Sequence, residues 1–280
     1  MRSLTLLAVM LGLIALLAVP VLAQNVRTTA MGETSVGLAD DSDALFYNPA
    51  GLPWVNTDGA DGYDGSWSGT GSAVASVDAD WDRYGVAYAG HSADMRQGIG
   101  AGYDYWDFGG SETSTFGAGY GMQIGDSPFA VGVAVLFESH DVEMTADQLG
   151  FDDDFTFINV GLMYRMVDEG MNEWRAGFLV NDIAEEVSPA PIYDIGASVR
   201  TPEGVILALD VNDVSDETGT WVNVGAEYPI PETDAIVRAG LLDGEFTAGV
   251  GYRFGTWEAG VAYQDLDGTE ETSIGVSGMF

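Results

Sequence analysis

The chain lacks cysteine and lysine altogether and holds only two histidines. The missing cysteine excludes disulfide bonds, thiolate catalysis and cysteine-ligated metal sites. Its nine basic residues are all arginines, they stand against 44 acidic residues, and the formal net charge is −35. This charge excludes nucleic acid as a partner, because nucleic-acid binding needs a basic surface. A hydrophobic content of 46 % argues against disorder, the usual outcome of such charge.

Long apolar runs are also missing after the first 23 residues. Arg2 precedes an apolar run from Leu4 to Val19, which is followed by the small residues Val21 and Ala23. The run is about 16 residues long, shorter than the ~20 residues that a membrane-spanning helix needs. We therefore predict a signal peptide over residues 1–23, cleaved before Gln24, in preference to a retained membrane helix.

What the sequence does contain is alternation of residue types. Residues 245–280 hold three runs in which every second residue is apolar, as in strands, whose successive side chains point to opposite faces. In the first run one face carries Phe246, Ala248, Val250, Tyr252 and Phe254, and the other carries Thr247, Gly249, Gly251 and Arg253. Aromatic residues at the strand ends, aliphatic residues between them and a polar inner row are typical of a transmembrane β-barrel.

The chain ends on Phe280, with apolar residues at alternate positions before it. This ending resembles the signal that the outer-membrane barrel-assembly machinery reads, although Gly278 stands where that signal usually has an aromatic residue. We predict that Phe280 is an insertion signal. The barrel-assembly machinery and outer-membrane lipid are the partners that follow from it.

Alternating runs recur along the chain from about residue 66. Their predicted centres are Ala73–Val77, Tyr84–Ala89, Ile99–Tyr105, Phe116–Met122, Phe129–Phe137, Phe155–Arg165, Trp174–Val180, Ile192–Arg200, Val205–Val211, Trp221–Tyr228, Ala235–Leu241 and the three closing strands. Fourteen is an even number, as bacterial barrels have. The predicted fold is all-β, a transmembrane antiparallel β-barrel of about 14 strands over residues 66–280, preceded by an N-terminal plug or periplasmic segment over residues 24–65.

The loops between these runs differ in length. The predicted outer connections include acidic loops at Glu138–Asp154, Asp182–Pro189, Asp213–Gly219 and Asp265–Glu271. The opposite connections are short, at Gly125–Pro128, Thr201–Gly204 and Gly255. Long loops outside and short turns inside are the asymmetry of outer-membrane barrels. The acids either belong to these loops or reflect a high-salt habitat, in which ions screen self-repulsion.

Residues 24–65 do not alternate like strands. Asp41 or Ser42 is a candidate cap for a short helix that ends before Pro49, since the residue before proline disfavours the helical conformation. The following Asn48-Pro49-Ala50-Gly51 is predicted to form a turn. We expect this segment to pack inside the barrel or across its periplasmic mouth.

The same segment carries a family resemblance. Its Met31-Gly32, Leu38-Ala39-Asp40-Asp41 and Ala44-Leu45-Phe46-Tyr47-Asn48-Pro49-Ala50-Gly51-Leu52 elements resemble outer-membrane barrels related to long-chain fatty-acid transporters (FadL-like). They are most similar to the branch that includes the type IX secretion proteins PorV and PorQ. The resemblance implies a plug motif at Asp40, Asp41, Asn48, Pro49, Ala50 and Gly51, and a 14-stranded barrel that handles hydrophobic molecules or serves a secretion apparatus. The chain is short for this family, so large extracellular insertions are missing.

The rows opposite the apolar ones are rich in glycine, and they would face the lumen. Glycine eases the bending of a closed sheet, the interpretation we favour, and it also leaves room for a plug or a ligand. Predicted lumen charges are Arg165, Arg175, Arg200, Arg238, Arg253, Glu227 and Glu258. We expect them to pair with each other or with plug acids, because unpaired buried charges are costly. Alternatively, the arginines bind an anionic headgroup, with Met163, Leu179 and Ile206 receiving an apolar tail.

Catalysis has little support in the sequence. Ser139-His140-Asp141 resembles a triad only by adjacency, whereas a triad is assembled in space. Asp78–Asp82 and Asp152–Asp154 lack the glycine and terminal glutamate of a calcium loop. We predict no catalytic residue, no metal site and no cofactor.

These observations predict an exported protein of the outer membrane of a diderm bacterium. The first functional hypothesis is passive uptake of small hydrophobic, fatty-acid-like molecules through a plugged barrel. The alternative is a non-transporting component or scaffold of a type IX-like secretion system, with a secretion-system partner in place of the hydrophobic ligand.

Overall fold

A computed structural model describes residues 25–55, 67–76, 81–92, 94, 96–108, 111–142, 151–184, 190–215, 219–266 and 269–279. The predicted signal peptide and the terminal Phe280 lie outside these ranges, as do residues 143–150 of the predicted acidic loop Glu138–Asp154. Both remain predictions.

Fourteen β-strands make up most of the described chain. They are β1 Trp67–Ser76, β2 Trp81–Ser92, β3 Gln97–Phe108, β4 Ser111–Gln123, β5 Phe129–Val142, β6 Phe151–Val167, β7 Glu173–Asn181, β8 Ile192–Arg200, β9 Ile206–Asn212, β10 Trp221–Pro229, β11 Ala235–Leu242, β12 Glu245–Phe254, β13 Trp257–Leu266 and β14 Thr269–Met279. Every predicted strand centre overlaps an observed strand, although Val77 lies outside the described residues and Val205 precedes β9.

The strands form one closed antiparallel barrel. Each strand pairs with its neighbours in the chain, and β1 closes the sheet by pairing with β14. The predicted fold class is therefore confirmed. Closure gives every strand two partners, so no sheet edge is left open.

The polarity of the barrel is inverted relative to a soluble protein. Large apolar side chains point outward, with Phe246, Val250 and Tyr252 each more than half exposed, while the polar Thr247 between them is buried. An outer surface of this kind suits lipid, because apolar side chains gain nothing from facing water.

The two ends of the barrel differ. One end, here called the short-turn end, carries the tight connections after β4, β8 and β12, including Gly255 at a positive φ of 68°. The other end, the outer-loop end, has the longest strands on one side. The ladder between β5 and β6 continues from Glu138 opposite Phe155 to Val142 opposite Phe151. The predicted loop Glu138–Asp154 is thus partly strand, because backbone hydrogen bonds persist where the side chains become acidic.

Residues 25–55, called the plug from here on, fill the barrel. They contain α1 Val26–Ala30, α2 Ala44–Tyr47 and a 3₁₀ helix over Pro49–Trp54. Leu45 and Leu52 are fully buried against inward Gly100 of β3. The predicted short helix is present, but its N-cap is Asp43, without a side-chain cap bond, and the predicted turn at Asn48 is the start of the 3₁₀ helix.

The described ranges contain neither a membrane-spanning helix nor a candidate metal cluster. None of the helices there combines the length and the apolar composition that crossing a bilayer would require. In the same residues, no group of three or more histidine, aspartate and glutamate side chains is placed to hold a metal ion.

Candidate functional site

The plug lies on a wall of inward-facing glycines. A Cβ atom added to Gly161 of β6 would lie 2.1 Å from the Asn48 side-chain oxygen, and one added to Gly177 of β7 would lie 1.9 Å from the Val36 carbonyl oxygen. A Cβ at Gly132 of β5 would meet the backbone of Pro49 at 2.2 Å. These distances are far below ordinary contact, so the glycines are needed for the close approach of the plug. Room for a plug, the interpretation the sequence analysis did not favour, is what this geometry requires.

Asn48 is the centre of the predicted plug motif, and it is fully buried. Its amide nitrogen donates to the Val36 carbonyl at 2.9 Å, and its side-chain oxygen accepts from the Ala50 N–H at 3.1 Å. The side chain therefore joins the middle of the plug to the start of the 3₁₀ helix. Gly51 packs against Ala39, whose carbonyl oxygen would lie 2.2 Å from an added Cβ.

Asp210 on β9 anchors the plug from the wall. Its carboxylate accepts from the backbone N–H groups of Ser35 at 2.6 Å, Val36 at 2.8 Å and Gly37 at 3.3 Å. Three backbone donors satisfy a buried carboxylate without a basic partner. Asp210 is not among the predicted site residues, because its role depends on a contact with a segment about 175 residues away.

A repeat that the sequence analysis missed places these contacts. Every even-numbered strand carries an inward polar residue, then an outward residue, then an inward glycine. The seven examples are Arg83-Tyr84-Gly85, Thr115-Phe116-Gly117, Asn159-Val160-Gly161, Asp194-Ile195-Gly196, Asn223-Val224-Gly225, Thr247-Ala248-Gly249 and Ser273-Ile274-Gly275. At six of the seven glycines, all except Gly85, an added Cβ atom would meet the plug, and the polar residue lies one step toward the outer-loop end. The repeat is visible in the printed sequence once the strands are aligned.

Three polar residues of this repeat also accept hydrogen bonds from backbone N–H groups just after the ends of neighbouring strands. The backbone N–H groups of Asp182, Asp213 and Asp243 donate to the side-chain oxygens of Asn159, Asp194 and Asn223 at 3.1, 2.8 and 3.3 Å. All three aspartates have positive φ, between 48° and 50°. Aspartate tolerates this left-handed conformation better than most residues.

An ion-pair network joins plug and wall at the short-turn end. Arg27 of the plug contacts Asp40 at 2.6 Å, Asp41 at 3.1 Å and Glu227 of β10 at 2.8 Å. The network borders a cavity of about 240 Å³ whose other lining residues include Trp257 and Met279.

The predicted lumen charges complete this network from the wall. Arg238 contacts Glu227 at 2.8 Å and Glu258 at 2.6 Å, Arg253 contacts Glu258 at 3.3 Å, and Arg200 bonds to Asp40. The side chains of Arg238 and Glu227 are almost fully buried. Each arginine thus has an acidic partner within the chain.

Two further predicted charges lie together beside the plug. Arg165 and Arg175 both contact Glu173 at 2.6 Å. Arg175 also donates to the Leu38 carbonyl at 2.9 Å, and Arg165 lies over the Trp54 ring at 5.9 Å. These contacts hold two parts of the plug against β6 and β7.

Burial changes the proton affinity of the plug acids in opposite directions. Burial and the neighbouring Asp41 raise the pKa of Asp43 to about 8. Burial would likewise raise the pKa of Asp40, but the positive charges of Arg27 and Arg200 outweigh it and hold that pKa well below its usual range. Asp40 therefore stays ionised in its ion pairs across the neutral range.

The apolar lumen residues Met163, Leu179 and Ile206 are buried. Met163 belongs to a cluster with Leu52, Trp54 and other plug residues, and Ile206 clusters with Met31 and Leu38. The plug therefore covers the side chains that the sequence analysis assigned to an apolar tail.

The Ser139-His140-Asp141 triplet does not assemble as a triad. It lies within β5, so Ser139 and Asp141 point away from the face that carries His140. His140 contacts Glu138 at 2.5 Å and approaches the Thr113 hydroxyl at 3.4 Å.

Comparison with known proteins found similar folds but no matching sequence family. No protein-family model and no curated protein matches the chain. Among solved structures, the CymD monoaromatic hydrocarbon channel is similar over 94 % of this chain and 98 % of its own, with 12 % identity and a TM-score of 0.56. The toluene transporter TodX of P. putida is similar over 92 % of this chain and 97 % of its own, with 13 % identity and a TM-score of 0.53.

At these identities the likeness shows the fold. CymD and TodX are outer-membrane barrels of the long-chain fatty-acid transporter family. The likeness therefore agrees, at the level of the fold, with the resemblance carried by the N-terminal motif. A closer relation to PorV and PorQ stays a prediction.

Proposed function

We propose that the chain forms an outer-membrane barrel through which small hydrophobic molecules pass without energy input. The fold that it shares with hydrocarbon channels supports this function. The outward apolar surface, on which Leu207, Phe246 and Val250 are more than half exposed, supports insertion in lipid.

The observation that carries the proposal is the short ladder between β1 and β2, two strands that otherwise lie close to each other. Among the described residues, their ladder consists of three pairs at the short-turn end, Trp67 with Ser92, Ser68 with His91 and Gly69 with Gly90. Every other seam of the barrel has six or more pairs. A seam with few backbone hydrogen bonds opens at lower cost than a fully paired one.

The side chains at this seam are small. The outward face of β1 carries Gly69, Gly71, Ala73 and Ala75. The hydroxyl of Tyr88 on β2 lies over the seam, 2.6 Å from the position of a Cβ on Gly69. With the plug filling the lumen, a sideways route between β1 and β2 suits an apolar molecule, because it leads directly to the lipid.

The class of molecule is proposed to be hydrophobic and to lack a carboxylate, unlike a fatty acid. The arginines that the sequence analysis offered to a carboxylate are bound to Glu227, Glu258 and Asp40 of the chain itself. A fatty-acid carboxylate would have to displace a partner that is already held in place.

The test is to cross-link β1 to β2, so that the seam between them cannot open. The chain has no native cysteine, so the double variant Ala73→Cys on β1 with Val86→Cys on β2, both on the outward face beyond the ladder, can be joined by a short thiol cross-linker. The protein is placed in vesicles whose outer leaflet contains lipopolysaccharide, and entry of the apolar dye N-phenyl-1-naphthylamine is followed by fluorescence. Cross-linking is expected to abolish protein-dependent entry, and reduction of a cleavable linker should restore it.

The control joins a seam that is fully paired. Val237 and Val250 face outward and are opposite each other on β11 and β12. Cross-linked Val237→Cys with Val250→Cys should leave dye entry unchanged. Equal entry through the locked and unlocked β1–β2 seam would refute the sideways route, and no protein-dependent entry at all would refute transport.

The filled lumen also favours a second candidate, a non-transporting component of a type IX-like secretion system. Such a role needs no route for a ligand, and the plug contacts described above leave none through the centre of the glycine wall. Failure of dye entry with folded protein, together with recovery of a stable protein partner by cross-linking in the native membrane, would support this candidate.

A further inference from the structure

A buried polar cluster lies between the plug and the wall toward the outer-loop end, away from the ion-pair network. Its members, called the outer chamber here, are Glu33 and Tyr47 of the plug and Arg83, Asp104, Gln264, Glu271 and Ser273 of the wall. Arg83 links them, because Asp104 and Glu271 are its nearest carboxylates and both plug residues feel its charge.

The N–H donors of the Arg83 guanidinium have few hydrogen-bond partners among the described residues. Its two terminal nitrogens lie 3.7 Å from Asp104 and 3.9 Å from Glu271, beyond hydrogen-bond distance. Its Nε is buried and has no hydrogen-bond partner among the described residues. At such distances the two carboxylates pair with the guanidinium charge but do not satisfy its N–H donors.

The chamber also has an excess of acceptors. Asp104 Oδ1, Gln264 Oε1 and Glu271 Oε1 are buried without a hydrogen-bond partner in the part of the chain that the structure describes, as are the Tyr47 and Ser273 hydroxyls. Gln264, Glu271 and Ser273 are at most 2 % exposed. The Gln264 amide nitrogen is already used, since it donates to Glu271 at 2.5 Å. Buried acceptors without donors cost free energy, which an occupant that brings donors would recover.

The formal charge of the chamber is negative. Arg83 stands against Glu33, Asp104 and Glu271, and Glu138 adds a further acid nearby. Glu138 itself accepts from Thr115 at 3.0 Å and contacts His140 at 2.5 Å. An anionic headgroup entering here would be repelled by the excess of carboxylates, whereas a cationic one would be attracted.

An apolar floor lies beside these acceptors. The half-buried Phe46 ring packs on Gly102 and Gly117, where an added Cβ would meet it at 2.8 and 3.2 Å. Asp104 and Thr115 are the next inward residues on the same two strands. The chamber thus places an aromatic face next to acidic oxygens, a combination that suits organic cations.

We propose that the outer chamber receives a small apolar molecule through a hydrogen-bond-donor headgroup, with an ammonium preferred to a hydroxyl and a carboxylate excluded. This inference rests on the proposed function, whose substrate class it names. The positive charge of Arg83 repels a cation, but the acids outnumber Arg83, and their unpaired oxygens favour a ligand that donates hydrogen bonds.

The test compares three ligands that share one ring. Isothermal titration of the purified, folded protein in detergent at pH 7 would use benzylamine, benzyl alcohol and benzoate. Benzylamine is expected to bind ~10-fold more tightly than benzyl alcohol, and benzoate to bind more weakly than either. Benzoate binding as tightly as benzylamine would overturn the proposal, and this comparison needs no variant.

A variant pair assigns the binding to the chamber. Asp104→Asn with Glu271→Gln is expected to weaken benzylamine binding ~10-fold or more and to change benzyl alcohol binding little. The matched control, Glu232→Gln with Asp234→Asn, removes two acids from the turn between β10 and β11 and should change neither. An unchanged affinity for benzylamine in the chamber variant, folded as judged by heat-modifiable migration, would overturn the assignment.

The proposed transport and the proposed substrate class can be refuted independently of each other. Seam-dependent dye entry without the expected order of ligands would leave transport in place and refute the substrate class. The expected order of ligands without dye entry would leave the chamber as a binding site in a barrel that does not transport.

Discussion

At Gly161 the side-chain oxygen of Asn48 occupies the space where any other residue would carry a Cβ atom. The same relation between a glycine and the plug recurs at Gly132 and Gly177. A glycine in a strand usually weakens the strand, since it adds backbone entropy to the unfolded chain and offers no side chain to pack. Here that loss is offset by contact between the plug and the wall.

The importance of the close contact between the plug and Gly161 can be tested by comparing two inward glycines. Gly161→Ala would push against the buried Asn48 and is expected to lower the free energy of unfolding by ~1–3 kcal/mol, the usual range for overpacking. Gly119→Ala is the control, because its Cβ would meet the end of the Leu45 side chain at 2.7 Å and would come no closer than 3.2 Å to the backbone, at the Val133 carbonyl oxygen. The measurement is the temperature at which heat-modifiable migration is lost. Equal shifts in the two variants would show that the Asn48 contact is not special.

The elements of the fold were predictable where alternation was clear and less so at their ends. Strand centres followed from period-two patterns. The outer ends of β5 and β6 did not, because their residues are acidic while the backbone ladder continues to Val142 and Phe151. The plug helix was predicted, but its cap was not, since Asp43 uses its carboxylate to accept from Asn25 and Thr28 instead.

Asp210 on β9 provides a test at the scale of one element. Asp210→Asn leaves one acceptor oxygen where the carboxylate had two for the N–H groups of Ser35, Val36 and Gly37. We expect a loss of ~1–3 kcal/mol in the stability of that plug segment, as for a buried hydrogen bond left incomplete. Hydrogen exchange of these amides should accelerate, while amides of the β11–β12 ladder should not.

The control for this experiment is Asp234→Asn in an exposed turn, where the side chain is not part of the plug contact. Unchanged exchange at residues 35–37 in Asp210→Asn would contradict the anchoring role. Faster exchange throughout the barrel would indicate that Asp210 supports the whole sheet.

On the scale of the whole molecule, the barrel and the plug have different sources of stability. The barrel is closed by backbone ladders around its full circumference. The plug depends on side-chain contacts with that wall, including the ion pairs of Arg27 and Arg200. A closed ladder does not need the plug to satisfy its backbone groups.

We therefore expect deletion of residues 30–52 to leave a folded barrel with a wide, wet lumen. In planar bilayers the deleted form should conduct small ions far better than the intact protein, whose lumen is filled. A point variant outside the plug contacts, such as Asp234→Asn, should retain the low conductance of the intact form. Loss of heat-modifiable migration on deletion would instead show that the plug is needed to fold the barrel.

The sequence by itself determined the inverted polarity, the number of strands, the short helix before Pro49 and the presence of lumen charges, because these depend on local patterns of residue types. Only the tertiary structure decided which charges meet. Arg27 with Glu227, and Asp210 with the backbone at Ser35, join residues far apart in the chain. It also decided that the glycines admit the plug, and that the β1–β2 seam is short, because both depend on how the closed sheet fits the segment inside it.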